Sequence, residues 1–208
     1  MAGVLELWLP GDAYGTALAS LLYGDADPGG RLPITFPANE SQGPATTPST
    51  YPGDLSPDGA VETVHFDEGL GVGYRYWDEM GQTPLFPFGH GLSYASFDID
   101  KVRVESTDKG GARVRARVRN TSNRRGSEVL QVYLGFPDSA GEPPRQLKAM
   151  AKVTLDPRQA QQVDIDVGPK AFEIWDSDAD RWIVPAGAFE VMLGRSSRDI
   201  VASFSVRP

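Results

Sequence analysis

The chain of 208 residues has no cysteine, which excludes disulfides and thiolate metal sites. Its two histidines, His65 and His90, are too few for a histidine-built metal centre, so no metal and no cofactor is expected. No apolar run approaches the roughly 20 residues of a membrane span. The N-terminus lacks the basic stretch and following apolar stretch of a signal peptide. Basic residues are nearly missing from one half. Residues 1–96 hold 2 Lys+Arg against 12 Asp+Glu, whereas residues 97–208 hold 18 against 16, which together give the net charge of −8. An acidic half argues against nucleic acid or an anionic membrane as partner. The charge split also places a domain boundary near residue 96. With 40% apolar and 23% charged residues, there is ordinary material for a folded core.

What the first half does contain is a sparse set of elements. Residues 4–9 (Val-Leu-Glu-Leu-Trp-Leu) are a nearly continuous apolar run before Pro10-Gly11, which predicts a buried strand. Asp12 stands where a helix cap belongs. Tyr14, Ala17, Leu18, Leu21 and Leu22 share one helical face, and Gly24 is placed to end that helix. Strand, turn and helix in this order make the unit of a parallel α/β sheet. Residues 32–36, broken by Pro33 and followed by Pro37, can form only a short edge or extended segment. Residues 38–60 show no periodicity and read as a long loop. Residues 64–77 mix aromatics with Gly69, Gly71 and Gly73, which reads as a strand approached closely on one face. Residues 85–94 (Leu-Phe-Pro-Phe-Gly-His-Gly-Leu-Ser-Tyr) read as a junction.

From residue 97 the pattern alternates. A strand starts around Val102 and Val104. In residues 113–119, Val114, Ala116 and Val118 face inward and four arginines face outward. Further strands are expected over 129–136, 147–155, 162–167, 181–184, 188–193 and 199–206, separated by turn signals such as Asp156-Pro157 and Gly168-Pro169. Seven or eight short, evenly spaced strands indicate an immunoglobulin-like sandwich. The expected fold class is therefore mixed: an incomplete α/β remnant over 1–96, then an all-β immunoglobulin/fibronectin type III-like sandwich over 97–208.

For chemistry, the first carboxylates to weigh are Asp25, Asp27, Asp67 and Glu68, on Gly-rich turns. Glycoside hydrolysis needs two carboxyls flanking one bond, about 5–5.5 Å apart for retention. Turn and cap roles, and an ion pair of Glu68 with Arg75, are the competing reading. His90, between Gly89 and Gly91, can serve as a base or satisfy backbone groups at a joint. Gly69-Leu-Gly-Val-Gly73 lacks dinucleotide spacing and no helix is expected after it. Asn39 and Asn120 begin glycosylation-type triplets.

Three segments carry a family resemblance. The first is Trp8-Leu-Pro-Gly11 with the helix and Asp27-Pro-Gly-Gly-Arg-Leu-Pro-Ile-Thr-Phe-Pro37. The second is Glu68-Gly-Leu-Gly-Val-Gly-Tyr-Arg-Tyr-Trp-Asp78, and the third is residues 85–94. In this order the set resembles the C-terminal end of glycoside hydrolase family 3, most of all its β-glucosidases. The region after 97 is similar to the fibronectin type III-like domain that ends many of these enzymes, on residues 128–133, 145–148 and 182–195. The resemblance implies, for the full enzyme, retaining hydrolysis of terminal β-D-glucosyl residues in carbohydrate metabolism. It also implies a catalytic (β/α) barrel with an Asp nucleophile, then an α/β sandwich domain whose acid/base Glu lies upstream of the Trp-x-Pro-Gly segment. Neither falls on a position of this sequence, so no catalytic residue is expected here. The implied partner is the N-terminal barrel and sandwich portion, with a β-glucoside substrate only in that context. Glu68, Tyr74, Arg75, Phe86, Phe88, Gly89, His90 and Gly91 are expected at the domain interface or in structural roles. Residues 1–84 are expected to expose apolar surface, on Leu18, Leu21, Leu22 and the run 4–9. The alternative is a free-standing carbohydrate- or protein-binding module, for which Trp175, Trp182 and Phe136 would need to form an exposed row, whereas core or edge packing is the role expected of both tryptophans.

Overall fold

The structure, a computed structural model, describes residues 3–59 and 62–207. In the first half, residues 4–9 form no strand: they run as irregular chain, and Leu9 is 100% exposed. An apolar run becomes a strand only beside other strands, and among the described residues none lies next to it. Helix α1 (Tyr14–Tyr23) follows, capped at its start by Ala13 with no side-chain hydrogen bond, so Asp12 is not the cap. Its end is as expected: Gly24 takes φ 81° and its N–H donates to the Leu21 carbonyl. No residue of α1 is buried, and Leu18 and Leu21 are half-buried. Residues 38–59 are mostly turns, broken by the small antiparallel pair β1 (Asp54–Leu55) and β2 (Glu62–Thr63). Residue 60, the last of the expected loop, lies outside the described residues.

The strand expected over 64–77 is also absent. Gly69 at φ 56° and Gly73 at φ 60° turn the chain in a region closed to most side chains. Helix α2 (Tyr74–Glu79) starts immediately after, so a helix does follow the glycine run. Phe36 makes an isolated antiparallel bridge with Phe86, which is the extended pairing open to a segment flanked by prolines.

The second half is the sandwich. Strands β3 (Phe97–Ser106), β4 (Ala112–Asn120), β5 (Gly126–Gly135), β6 (Gln146–Leu155) and β7 (Ala160–Val167) are followed by the hairpin β8 (Ile174–Asp176) and β9 (Arg181–Ile183). Strands β10 (Phe189–Gly194) and β11 (Ile200–Val206) complete it. One sheet has the order β11-β10-β5-β6 and the other β3-β4-β7, all pairs antiparallel. In β4, Val114, Ala116 and Val118 enter the core, while Arg113, Arg115 and Arg117 reach Asp166, Asp164 and Asp100 across the solvent face. Lys101, at φ 51°, sits where the β3–β4 register slips. Asn120 is fully buried and its amide donates to the carbonyls of Arg124 and Leu155, so the triplet it begins is a structural corner. The mixed architecture is the one the sequence predicts. No described helix is long and apolar enough to cross a membrane.

All ten residues of β5 are buried. Leu130, Val132 and Leu134 belong to the sandwich core. Gln131 and Tyr133 instead meet residues of the first half, so that half lies on the outer face of the four-stranded sheet.

Candidate functional site

The residues singled out at the junction gather where the first half meets β5. The chain from 85 to 91 descends through two glycines that admit no side chain. A Cβ on Gly89, at φ 79°, would lie 2.1 Å from Oε1 of Gln131, and one on Gly91 would lie 2.5 Å from the Gly30 carbonyl. The Gln131 amide fills that space productively. Its Nε2 donates to the carbonyls of Gly89 (3.0 Å) and Arg195 (2.6 Å), and its Oε1 accepts from the Tyr133 hydroxyl (2.6 Å). Burial pushes the Tyr133 phenol well above its usual range, which keeps it a neutral donor.

The aromatics form a continuous stack. Phe88 stacks on Tyr74 at 4.7 Å, and Tyr74 meets Tyr133 edge-on at 5.9 Å. The Tyr74 hydroxyl accepts the Leu147 N–H at 2.7 Å, and the Phe88 carbonyl accepts the Ser197 N–H at 3.0 Å. Phe86 packs away from β5, against Phe36 and the ring of His90. His90 satisfies backbone groups through its own main chain: its N–H donates to Pro87 and its carbonyl accepts from Leu32. Its ring lies on Phe86 at 5.5 Å, and burial, with Arg31 nearby, holds the imidazole below its ordinary pKa. Arg75 lies over the Tyr74 ring at 6.0 Å. Glu68 is half-buried, and among the described residues no ion pair joins it to Arg75.

Charged groups bind the two halves together; the sequence singles out Asp27 among them, for acid/base or turn roles, but not the ion pairs. Asp27 accepts three hydrogen bonds, from Ser93 Oγ, Tyr94 N–H and Ser127 N–H, at 2.6–2.9 Å. Its carboxylate is thereby committed to the joint, while Asp25 and Asp67 are exposed. Arg31 pairs with Glu128 at 2.5 Å, both side chains nearly buried. Asp78, 1% exposed at the end of α2, faces Arg145 at 2.9 Å and Arg198 at 3.0 Å. Burial pushes its carboxyl up against the pull of those two arginines. Arg198 also donates to the carbonyls of Trp77 and Gln82. The one available sequence signal was the scarcity of basic residues before 96, which marks Arg31 and Arg75 as special. Arg145 and Arg198 sit among many others. Among the described residues no cluster of His, Asp and Glu could hold a metal ion.

This is a docking site of polar and aromatic groups, and it defines a class: a fibronectin type III-like sandwich fused to the domain packed on its sheet. The family descriptions agree. Residues 1–94 match the glycosyl hydrolase family 3 C-terminal domain, and residues 128–197 match the fibronectin type III-like domain. A thermostable beta-glucosidase B of Acetivibrio thermocellus is 39% identical over 98% of this chain and 26% of its own length. An exo-alpha-(1->6)-L-arabinopyranosidase of Bifidobacterium breve is 38% identical, again over 98% of this chain and 26% of its own. The solved structure of DesR, a beta-glucosidase from Streptomyces venezuelae in complex with D-glucose, superposes with a TM-score of 0.89 at 39% identity. It covers 97% of this chain and 25% of DesR. The chain belongs to glycosyl hydrolase family 3 and corresponds to the C-terminal portion of its β-glucosidases; it spans about a quarter of the length of the curated relatives it matches.

Proposed function

We propose that this chain serves a β-glucosidase, which hydrolyses terminal β-D-glucosyl residues with retention, as the structural C-terminal portion, and that by itself it turns over no substrate. The supporting observation is the exposed apolar surface concentrated in the first half, on Val4, Leu9, Tyr14, Leu22, Tyr23 and Phe66 among others. Such a surface marks an interaction site. The relatives extend well beyond the matched quarter, and the portion that the family resemblance implies there, a barrel and the rest of an α/β sandwich domain, is the partner it fits. Within this reading, Gly89, Gly91, Phe88, Tyr74 and His90 belong to a domain interface near residue 96, with Phe86, Glu68 and Arg75 on its first-half side. The chain alone is expected to leave an aryl β-glucoside intact. Adding the N-terminal three quarters of a close relative is expected to give hydrolysis. Turnover by the chain alone, lost on Glu68→Gln or Asp67→Asn, overturns the proposal.

The module reading needs a row of three exposed aromatics. Trp175 and Trp182 are exposed, but Phe136 packs on Phe189 and lies under Lys148, leaving two.

A further inference from the structure

We propose that the outer face of the three-stranded sheet carries a binding site for a tetrahedral oxyanion of the phosphate type, built on Lys101, Arg103, Arg115 and Arg117. The strand register brings these residues together. Asp100 pairs with Arg117 and Arg103 with Arg115, so β3 spends one residue more than β4 between the two pairs. The core accounts for that bulge. Phe97 and Ile99 pack inward at odd positions and Val102 and Val104 at even ones, and the extra residue lets all four do so. The core does not account for the residues that occupy the bulge. Lys101 takes φ 51°, a region that glycine enters freely and a lysine only with strain. Arg103 stands directly across the ladder from Arg115, and like charges placed opposite one another destabilise a sheet. Two positions of one bulge therefore hold a cation where a cation works against the fold.

Both residues border a groove of about 380 Å³, which Arg115, Arg117, Gln161 and Gln162 also line and no carboxylate or aromatic does. The carboxylates beside the groove are already engaged. Asp100 takes the Arg117 guanidinium on two nitrogens. Asp164 accepts from Nε of Arg115 at 2.7 Å, and Glu105 lies 3.4 Å from its Nη1. Among the described residues Arg103 has no carboxylate partner, and Lys101 only shares the field of Asp100 with Arg117 and Arg119. Positive charge is therefore in surplus at the groove. The donors of Arg103 and Lys101 are unspent, and the amides of Gln161 and Gln162 add more. Ammonium, guanidinium and amide donors converging from three strands suit the several oxygens of a phosphate. The site lies on the opposite sheet from the joint and does not depend on the β-glucosidase reading.

Titration of the whole chain with inorganic phosphate, at an ionic strength held constant with chloride, tests the site by calorimetry and by the thermal midpoint. A saturable rise of the midpoint is expected, since a ligand of the folded state stabilises it. Lys101→Gly and Arg103→Gln are each expected to weaken phosphate binding about fivefold or more. In phosphate-free buffer the same variants are expected to unfold at the parent's temperature or above it, because each removes a strain or a repulsion. That second reading keeps a folding defect from passing as a lost site. Glycerol phosphate, titrated in parallel, distinguishes the source of the group. Tighter binding than inorganic phosphate indicates an ester, and weaker or equal binding the free ion; either supports the site. No saturable response beyond that of chloride, or phosphate affinity unchanged in either variant, overturns the proposal. So does a lowered midpoint of both variants in phosphate-free buffer.

Discussion

Residues 97–208 hold all seventeen members of the buried core cluster, from Ala112 to Val206. Among the described residues of 1–96, the buried apolar side chains of note are Trp77 and Ala95, both close to the joint. The two halves have comparable length, and both contain apolar residues at regular spacing. They differ in whether that spacing finds a partner. β4 alternates and meets β3, β7 and the opposite sheet. α1 has an equally clear apolar stripe and buries no residue of it. Amphipathic pattern is therefore a statement about what a segment needs, and only the surrounding chain decides whether the need is met.

The sharpest way to break this comparison is to separate the halves. A chain of residues 97–208 is expected to keep a cooperative thermal transition, and residues 1–96 alone to show none; far-UV circular dichroism on heating distinguishes the two. A cooperative transition in 1–96 would refute the dependence. Next in size is Gly89→Ala. It places a methyl group against a Gln131 amide held by three hydrogen bonds, at a positive φ, and is expected to cost about 3 kcal/mol by denaturant unfolding. The same residue type can then be compared across halves. Leu134→Ala, in the core, is expected to cost about 3 kcal/mol, and Leu22→Ala, on the exposed stripe of α1, less than about 0.5 kcal/mol. Equal costs would mean that the stripe is already covered.

The smallest effect is pH-dependent. The fold favours neutral His90, so its contribution is intact above the ordinary value of 6.5 and is lost as pH falls below it, because the unfolded chain takes up the proton first. The thermal midpoint of the chain should decline in that window, and His90→Gln should flatten the decline.

The sandwich was legible because a half-buried strand writes its own burial into alternate residues. Val114, Ala116 and Val118 needed no knowledge of their neighbours. The long loop and the C-cap at Gly24 were legible for the same local reason. Two elements were misread. The run 4–9 has strand composition but, among the described residues, no ladder beside it, and residues 64–77 have strand composition broken by glycines that turn into α2. The wiring of the joint was hidden for another reason. Asp27 and Ser127 are 100 residues apart, and Asp78 and Arg198 are 120 apart; nothing local marks either pair. Glycines and aromatic rings stand out in a sequence as candidates, because steric demands are local, whereas ion pairs between distant residues do not, because those exist only after folding.

The burial of every residue in β5 has a practical consequence for anyone transplanting this sandwich. Immunoglobulin-type domains are often treated as interchangeable beads that can be cut at a linker and strung elsewhere. Here the middle strand of the larger sheet has been surfaced for a neighbour, with Gln131, Tyr133 and Glu128 presented as fittings to be occupied. Grafted alone, the domain would carry an unfinished wall. Its outer sheet would need redesign with soluble alternation before it could serve as a bead, whereas the arginine–aspartate face of β4 is ready for water as it stands.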